Sequence, residues 1–329
     1  MNKNILIKNL ENKINRDIDI NRNEADEVVS IINEIPYEIY RFSNSIREKY
    51  FGNKINLCGI ANVKSGNCSE DCKFCAQSGH YQTSTVVYPL VDEGKMLAGA
   101  EAVKGLKASR YGLITSGCRI EGGNDLLKIA SAVKKIKKGI NIEPCASLGE
   151  LDNEACIILK EAGITRYHHN LETSRNYFPN ICTTHSWDDR VKTVKIVKNN
   201  GLQACSGGIF GMGETWADRL DLAFALRELG VDSVPLNFLN PIHGTPLEKQ
   251  IPLRPKEILA IISVFRIILP SKDIKVCGGR EKNLRQLQSW MFYAGASGMM
   301  IGNYLTTAGR DPKLDWEMIE DLGMEIRES

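Results

Sequence analysis

Short apolar runs alternate with longer amphipathic segments along most of the chain. Eight apolar runs have the length and composition of buried strands, and they lie near 56–63, 110–116, 140–146, 165–170, 202–210, 232–239, 273–277 and 298–301. Eight amphipathic segments place apolar residues at helical intervals, and they lie near 92–107, 124–138, 152–163, 187–200, 215–229, 255–269, 282–294 and 313–323. Such β-then-α units without a second domain-sized remainder predict an α/β fold, the (β/α)8 TIM-type barrel. A doubly wound sheet is the main alternative on pattern alone.

Residue types at the ends of these segments support the division. Asp152, Thr215 and Asp315 are candidate N-caps or first-turn acids. Four glycines follow helical segments just before the next strand, where a left-handed residue is favoured: Gly139, Gly163, Gly201 and Gly230.

A polar, helical stretch precedes the regular part of the chain. Apolar residues recur at helical intervals in residues 24–32 and again from Ile35 to Tyr50. We therefore expect residues 1–50 to form an N-terminal helical extension and residues 51–329 to form the barrel domain.

Composition and charge narrow the function classes. With 329 residues, 43% of them hydrophobic, the chain can bury a large core. The formal net charge is only +2 and no basic block is present, so we expect no nucleic-acid partner. No apolar run predicts a membrane span and the first residues show no secretory signal, so we expect a cytoplasmic protein. Ten cysteines in a reducing compartment favour metal binding or catalysis over disulfides.

Three cysteines follow the first predicted strand: Cys68, Cys72 and Cys75, in a C-x3-C-x2-C spacing. Structural zinc sites and closed four-iron clusters take four protein ligands, and no fourth ligand follows at a matching distance. The spacing therefore favours a four-iron cluster with one iron left open. A zinc site completed by His80 or Cys58 is the alternative from spacing alone.

This spacing, with Phe74 just before the last cysteine, resembles the signature of the radical S-adenosylmethionine (SAM) enzymes. The longer run 64–77 resembles the biotin synthase family in particular, and the resemblance extends over residues 56–307. It implies a 4Fe-4S cluster on the three cysteines, with SAM bound to the open iron and Phe74 beside the cofactor.

Residues 165–174 resemble the family segment tyrosine-x-His-Asn-Leu-Asp-Thr-Ser. In the family, the asparagine contacts the bound ligands and the acid holds the ribose hydroxyls of SAM, which assigns these roles to Asn170 and Glu172. Glu172 is one methylene longer than the family aspartate. His168 stands where the family has asparagine, and we interpret His168 and His169 as hydrogen-bonded interior residues, not metal ligands.

Three further positions match family contacts to SAM and substrate. Arg190 matches an arginine near the SAM carboxylate, a task that suits a bidentate guanidinium. Ile209 matches an isoleucine that packs on adenine, in a segment whose glycines allow close approach of backbone to a ligand. Asn237 matches a substrate-contacting asparagine of the sixth strand.

Cysteines on alternate strands indicate a second metal site. Cys145, Cys205 and Cys277 fall on or at the ends of the third, fifth and seventh predicted strands, which share layers inside a barrel. Three cysteines in one layer favour metal binding over inert packing. In the family, three cysteines and an arginine hold a two-iron cluster. Gly112 occupies the expected second-strand cysteine position, and Cys277 and Arg280 lie in the segment that matches the arginine-bearing one.

We therefore expect a rebuilt auxiliary iron–sulfur cluster on the three strand cysteines, of the four-iron type, with one iron free to carry an extra sulfide. Cys277 and Arg280 are the residues that we expect to act in sulfur transfer, with Arg280 hydrogen-bonding sulfur or substrate. Cys118 and Cys182 are reserve ligands, and Cys58 is interpreted as a packing residue.

The resemblance implies a radical reaction on dethiobiotin. One electron from a flavodoxin- or ferredoxin-like donor cleaves SAM to a 5′-deoxyadenosyl radical, which removes hydrogen from an unactivated carbon. Sulfur from the auxiliary cluster then closes the ring of biotin. The resemblance also implies a homodimer. The alternatives are a related barrel enzyme of the hydrogenase-maturase or methylornithine-synthase group, and a non-catalytic iron–sulfur or zinc module.

Overall fold

The computed structural model describes residues 3–120 and 123–327. Within these residues, parallel strands at eight positions close a barrel, and they are β1 (Lys54–Lys64), β2 (Arg110–Thr115), β3 (Glu143–Ser147), β4 (Arg166–His168), β5 (Gln203–Cys205) with its continuation β6 (Gly208–Phe210), β7 (Ser233–Phe238), β8 (Asp273–Val276) and β9 (Gly298–Met300). The barrel closes because β9 returns to pair with β1. A short strand, β10 (Glu325–Ile326), adds to the first residues of β1.

Helices precede and surround the barrel. The helices before β1 are α1 (Lys3–Asn15), α2 (Arg22–Ile31) and α3 (Pro36–Phe51). The later helices are α4 (Glu93–Gly105), α5 (Gly123–Gly139), α6 (Asn153–Ala162), α7 (Trp187–Asn199), α8 (Trp216–Glu228), α9 (Pro255–Ile268), α10 (Arg280–Leu284), α11 (Trp290–Tyr293) and α12 (Pro312–Asp321). In the two described ranges, no helix has the length and apolar character needed to cross a membrane.

The barrel predicted from the apolar pattern is confirmed, with two local differences. The predicted strand 202–210 is interrupted between β5 and β6, where a Cβ on Gly207 would lie 2.0 Å from the carbonyl oxygen of Pro235. The predicted helix 282–294 is wrong as a single helix. Arg285 takes φ 54°, which a continuous helix does not allow, so α10 ends there and a short 3₁₀ turn leads to α11.

The helix ends follow the expected chemistry. Asp152 and Thr215 are the N-caps of α6 and α8, and each side chain accepts a hydrogen bond from a backbone N–H three residues later. Gly163 ends α6 in the left-handed conformation. Asp315 lies in the first turn of α12, whose N-cap is Asp311.

The strand registers show which inward side chains share a level. Following the strand pairings from β1 to β3, Cys145 lies two residues further toward the carboxyl end of its strand than the residue aligned with Cys58. The same two-residue offset separates Cys145 from Cys205, Cys205 from Lys275, and Lys275 from Cys58. These steps together give the stagger of about eight residues that an eight-stranded barrel of this type requires. The four residues therefore form one layer, and Cys277 takes the next inward position toward the carboxyl ends of the strands.

The N-terminal helices pack on one side of the barrel. Helix α3 lies against α9, and α2 contacts α8 and α9. Arg227 on α8 donates a hydrogen bond of 2.8 Å to the carbonyl of Ile20, and Arg22 forms an ion pair with Asp221. The division into residues 1–50 and 51–329 stays a prediction, since α3 contributes buried side chains such as Phe42 to the same core as the barrel.

Arg266 on α9 joins segments at the end of the barrel opposite the carboxyl ends of the strands. Its side chain is fully buried. Its Nε donates to the carbonyl of Gly295 (2.7 Å), its Nη1 donates to the carbonyl of Lys272 (2.7 Å), and its Nη2 donates to Ser297 Oγ (3.2 Å). Burial lowers the pKa of Arg266 to about 9, and these acceptors satisfy the buried guanidinium.

Replacing Arg266 by methionine leaves these buried acceptors without a donor. Because each unsatisfied buried group costs about 1–3 kcal/mol, we expect Arg266→Met to lower the free energy of unfolding of the iron-free chain by at least about 3 kcal/mol. Urea unfolding followed by circular dichroism measures this change. Lys256→Met, at an exposed position on the same helix, is the matched control. Equal urea midpoints for the two variants would contradict the role of Arg266.

Candidate functional site

A cavity of about 440 Å³ opens at the carboxyl ends of the barrel strands. Its wall includes the loop after β1 and the inward side chains of strands around the barrel. Barrels of this class carry their ligand sites at this end.

The loop after β1 is closed on itself by backbone hydrogen bonds. Cys68 N donates to the carbonyl of Gln77 (3.0 Å), Gly79 N donates to the carbonyl of Cys68 (2.7 Å), and Cys75 N donates to the carbonyl of Cys72 (2.9 Å). The three cysteines all line the cavity. Burial raises the pKa of Cys75 to about 11, so that this thiol stays protonated until a metal binds.

The segment before α7 donates hydrogen bonds to two acidic residues of the cysteine loop, Glu70 and Asp71. Asp71 accepts hydrogen bonds from the backbone N–H groups of Thr183 (2.8 Å) and Thr184 (3.3 Å). Glu70 accepts hydrogen bonds from Thr184 Oγ1 (2.6 Å) and from His185 Nδ1. Partial burial opposes ionisation of Asp71, but hydrogen bonds from Thr183 outweigh it and lower the pKa of Asp71. The cysteine loop is thereby fixed to the start of α7.

Three predicted contact residues lie together in the cavity wall. Arg190 Nη1 donates to the carbonyl of Asn170 (3.0 Å) and lies 3.5 Å from Glu172 Oε1. Asn170 Nδ2 donates to Glu172 Oε2 (3.3 Å). Glu172 has φ 68°, a conformation that non-glycine residues adopt mostly at constrained functional positions. The arrangement offers a guanidinium for a carboxylate and an acid for hydroxyl groups.

His168 and His169 both line the cavity in neutral form, because burial lowers the pKa of each. His168 is in register with Cys205. The Nε2 atom of His169 is buried without a hydrogen-bond partner among the described residues. The interpretation of both residues as hydrogen-bonded interior histidines stays a prediction, and the Nε2 atom of His169 is available to a ligand.

Phe74 and Ile209 contribute to an apolar part of the cavity wall. Both pack against a small cluster that includes Phe178, Met212 and Leu239. Such a surface suits a planar, weakly polar ligand group.

Asn237 also lines the cavity, and the backbone holds its side-chain amide in place. Its Nδ2 donates to the carbonyl of Gly208 (3.2 Å), and its Oδ1 accepts from Gly278 N (2.9 Å). One N–H and one lone pair of the amide are left for a ligand.

The deeper part of the cavity, which we call the throat, is lined by the four thiols of Cys58, Cys145, Cys205 and Cys277. The neighbouring Cys58 thiol and burial both raise the pKa of Cys277, whereas the Cys277 thiol lowers the pKa of Cys58 to about 6 against the opposing effect of burial. The sequence placed Cys145, Cys205 and Cys277 in one layer, whereas the register puts Cys58 in that layer and Cys277 one inward position nearer the mouth. Cys58, interpreted as a packing residue, is part of the cavity wall.

Three cations lie beside these thiols, and two of them share the carboxylate of Asp273. Arg110 Nη1 lies 3.9 Å from Cys145 Sγ. Asp273 Oδ2 lies 3.6 Å from Arg166 Nη1 and 3.4 Å from Lys275 Nζ. Burial opposes charge on Lys275, but Asp273 and the neighbouring thiols raise the pKa of Lys275. These buried cations would compensate the negative charge of an anionic group bound beside the thiols.

The two sets of cysteines fit multinuclear iron–sulfur groups better than single metal ions. In the part of the chain that the structure describes, the one group of three potential ligand atoms within 4.8 Å of one another is Cys72, Cys182 and His185. Neither the three loop cysteines nor any three throat thiols come together closely enough for one tetrahedral ion. Wider-spaced thiols beside buried cations match the donor set of an iron–sulfur cluster.

Arg280 lies outside the cavity wall. Its buried guanidinium forms an ion pair with Asp315 and donates a hydrogen bond of 2.8 Å to Gln288 Oε1. The expectation that Arg280 contacts sulfur or substrate is contradicted by this position, because Arg280 begins α10 and does not extend from a strand. The basic residue that points into the throat is Lys275, two residues before Cys277.

Three residues of the site were missed or only partly located from the sequence. Cys58 and Lys275 share the inward alternation of β1 and β8, a signal that was present but not applied. Cys182 was placed only among the loops of this face, and its Sγ lies 3.8 Å from Cys72 Sγ. Gly112 is in register with Cys145, so β2 offers no ligand at that level.

Two comparisons of the sequence agree on the relationship of this chain. Residues 62–226 match the radical SAM superfamily, and residues 235–325 match the biotin and thiamin synthesis associated domain. The chain is 49% identical over 321 residues to a biotin synthase of Geobacter sulfurreducens, covering 98% of each chain. It is 52% identical over 301 residues to a biotin synthase of Geotalea uraniireducens, covering 92% of each chain.

Solved structures share the same fold at lower identity. A methylornithine synthase matches with a TM-score of 0.82 and 20% identity, covering 97% of each chain. A maturase of the FeFe-hydrogenase matches with a TM-score of 0.83 and 15% identity, covering 98% of this chain and 75% of the other. These two likenesses show the barrel alone, whereas the curated relatives and the two domains imply a 4Fe-4S cluster and SAM as cofactors. The chain therefore belongs to the biotin synthase family, whose members are radical SAM sulfurtransferases.

Proposed function

We propose that this chain converts dethiobiotin to biotin by inserting one sulfur atom. The observation that carries the proposal is that two separate sets of thiols, one at the mouth and one in the throat, face a single cavity of about 440 Å³. The identity of about half to curated biotin synthases supports this reaction over those of the maturase and methylornithine-synthase groups. The solved structures of those two groups are similar to this chain in fold at 20% and 15% identity.

The bound cofactors supply the radical and the sulfur, and the chain binds, orients and shields the reactants. Cys68, Cys72 and Cys75 hold the SAM cluster in this proposal. Arg190 takes the SAM carboxylate and Glu172 takes the ribose hydroxyls. The enclosed barrel excludes water and reductant from the reacting carbon.

Asn170 and Asn237 are the proposed contacts to polar groups of the substrate. Each amide is oriented by backbone, since Asn170 Oδ1 accepts from Gly207 N (3.1 Å) just as Asn237 Oδ1 accepts from Gly278 N (2.9 Å). Fixed amides with a free donor and a free acceptor suit the ureido ring of dethiobiotin. Phe74 and Ile209 line the part of the cavity in which we place the adenine ring of SAM.

We assign the auxiliary cluster to Cys145, Cys205 and Cys277, as a four-iron cluster whose fourth iron carries an extra sulfide. Cys58 and Cys277 both line the throat, and a cluster with one open iron takes only one of them beside Cys145 and Cys205. Cys277 is the ligand of this pair, because it lies nearer the mouth and therefore nearer the substrate. Cys58 keeps its thiol free of iron and lies beside the Cys277 sulfur.

Lys275 takes the role beside the auxiliary cluster that was expected for Arg280. It lies in the same barrel layer as Cys145 and Cys205 and lines the throat. Its charge compensates the negative charge of a thiolate-bound cluster. Arg280 instead supports the wall through Asp315.

Expectations about the cell and about partners complete the proposal. We propose a cytoplasmic homodimer that receives electrons from a flavodoxin- or ferredoxin-like protein, built from a helical extension (1–50) and a barrel (51–329). Six of the ten cysteines are proposed cluster ligands, and metal-binding cysteines are typical of a reducing compartment.

Anaerobic turnover tests the reaction itself. The reconstituted chain, incubated with reductant, SAM and dethiobiotin, is expected to form biotin together with about two molecules of 5′-deoxyadenosine for each biotin, since the cofactor radical breaks two carbon–hydrogen bonds. Liquid chromatography with mass spectrometry quantifies both products, and Cys72→Ala is the inactive control. 5′-Deoxyadenosine without biotin would favour a related radical SAM enzyme. Absence of both products would favour a non-catalytic module.

Iron counting tests the throat ligands. We expect Cys205→Ser to lose about four irons per chain and to keep the about four of the SAM cluster, whereas Cys58→Ser keeps both sets. Iron analysis and Mössbauer spectroscopy of the reconstituted proteins measure this. A Cys58→Ser protein that loses the throat iron would make Cys58 a ligand. A two-iron spectrum in the unaltered chain would overturn the four-iron assignment.

The variant Arg280→Leu distinguishes a role of Arg280 in stabilising the fold from a role at the auxiliary cluster. It removes one partner of the buried ion pair with Asp315, which retains Arg310 at 3.0 Å. We expect a loss of about 3 kcal/mol of stability, at the lower end for a broken buried pair, with iron content and biotin formed per folded chain unchanged. Urea unfolding and the turnover assay measure the two effects. A folded Arg280→Leu protein that has lost the iron of the throat would show that Arg280 acts at the auxiliary cluster.

A further inference from the structure

Cys182 is a buried thiol beside Cys72, and the proposed reaction gives it no task. Its Sγ lies 3.8 Å from Cys72 Sγ, 3.3 Å from His185 Nδ1 and 3.5 Å from Thr184 Oγ1. Only 2% of the residue is exposed, and it packs in a small apolar cluster with Phe178. A thiol in this position is held against one ligand of the SAM cluster.

The chemistry of Cys72 decides which of the two sulfurs donates. An iron-bound cysteine sulfur has no proton and carries negative charge, so it can only accept hydrogen bonds. At 3.8 Å the two sulfurs are within reach of an S–H donor. In the iron-free chain Cys72 donates to Cys182, and once Cys72 has lost its proton to iron binding the donor is Cys182.

The surroundings of Cys182 leave it no stronger acceptor that is free. The Asp71 carboxylate is also within reach of the Cys182 thiol, but it already accepts from the backbone N–H and the hydroxyl groups of both Thr183 and Thr184.

The two remaining candidates are His185 and Thr184. Arg190 Nε donates to His185 Nε2 (3.0 Å), which places the ring proton of His185 on Nδ1, where it is donated to Glu70 and toward Cys182 Sγ. Nδ1 therefore cannot accept from Cys182. Thr184 Oγ1 is an uncharged alternative, and hydrogen bonds to charged acceptors are the stronger ones.

We propose that Cys182 is a positioning residue that donates its S–H to the iron-bound sulfur of Cys72 and thereby raises the reduction potential of the SAM cluster. The inference rests on the proposed function in one respect, that Cys72 holds the cluster. Hydrogen bonds to the sulfurs of a cluster are among the factors that set its reduction potential. They stabilise the reduced cluster, which carries the greater negative charge, and therefore raise the potential. His185 and Glu70 act through Cys182 by holding its sulfur in place.

A matched pair of variants separates the hydrogen bond from the volume of the side chain. Cys182→Ser keeps a donor of similar size, and Cys182→Ala removes it. The midpoint potential is measured on the reconstituted full chain, without SAM or dethiobiotin, by redox titration followed by electron paramagnetic resonance. The signal that changes when SAM is added to a separate sample identifies the SAM cluster. Cys156→Ala, buried on α6 away from the cavity, is the control.

The expected result is a more negative midpoint for Cys182→Ala, with Cys182→Ser and Cys156→Ala both close to the unaltered chain and iron content equal in all four. An unchanged midpoint in Cys182→Ala overturns the proposal. An equal shift in the serine variant overturns it as well, because volume would then be the cause. Loss of about four irons from Cys182→Ala would make Cys182 a ligand and not a donor.

A measurement on the unaltered chain covers the case in which Cys182→Ala does not fold. Electron–nuclear double resonance of the reduced SAM cluster is expected to show a coupled proton that exchanges in D₂O, and absence of such a proton overturns the proposal. A failure of the proposed function appears separately, as SAM cleavage without biotin in the unaltered chain. That outcome leaves the comparison of midpoints intact.

Discussion

The inward alternation of side chains in a closed barrel is the constraint on which the throat depends. Every second residue of a strand points inside, and the stagger of the barrel decides which of these residues share a level. Cys58, Cys145, Cys205 and Lys275 come from alternate strands at one level, with Cys277 one position above. Because these residues lie on or directly after strands of the ladder, the position of each thiol is set by the backbone and not by packing of its own side chain.

The strands that place the throat thiols also place charged side chains beside them. Two of the three throat cations, Arg166 and Lys275, share Asp273 as their carboxylate partner. Thiols that ionise on binding iron add negative charge beside these cations. Binding of an anionic cluster is therefore coupled to the stability of the barrel, since a ligand that binds only the folded chain stabilises it.

The periodicity of the sequence was sufficient for the barrel, because strand and helix periods are local signals. It was also sufficient for the convergence of Cys145 and Cys205. It was not sufficient for Arg280, which was assigned because its segment resembles the arginine-bearing segment of the family. Arg280 follows the turn into α10, whereas Lys275 has the same inward parity as Cys277. Cys182 could not be found in this way, because its contact with Cys72 joins two loops across more than a hundred residues.

The mouth is built on a different principle from the throat. Its ligands lie on a loop, and hydrogen bonds from the segment before α7 to Glu70 and Asp71 replace the strand ladder as the means of holding them. His185 accepts from Arg190 and donates to Glu70, so the arginine assigned to the SAM carboxylate and the loop that carries the cluster cysteines are parts of one hydrogen-bonded unit. A displacement of the loop therefore moves the carboxylate partner with it, and the two contacts to SAM keep their relative geometry.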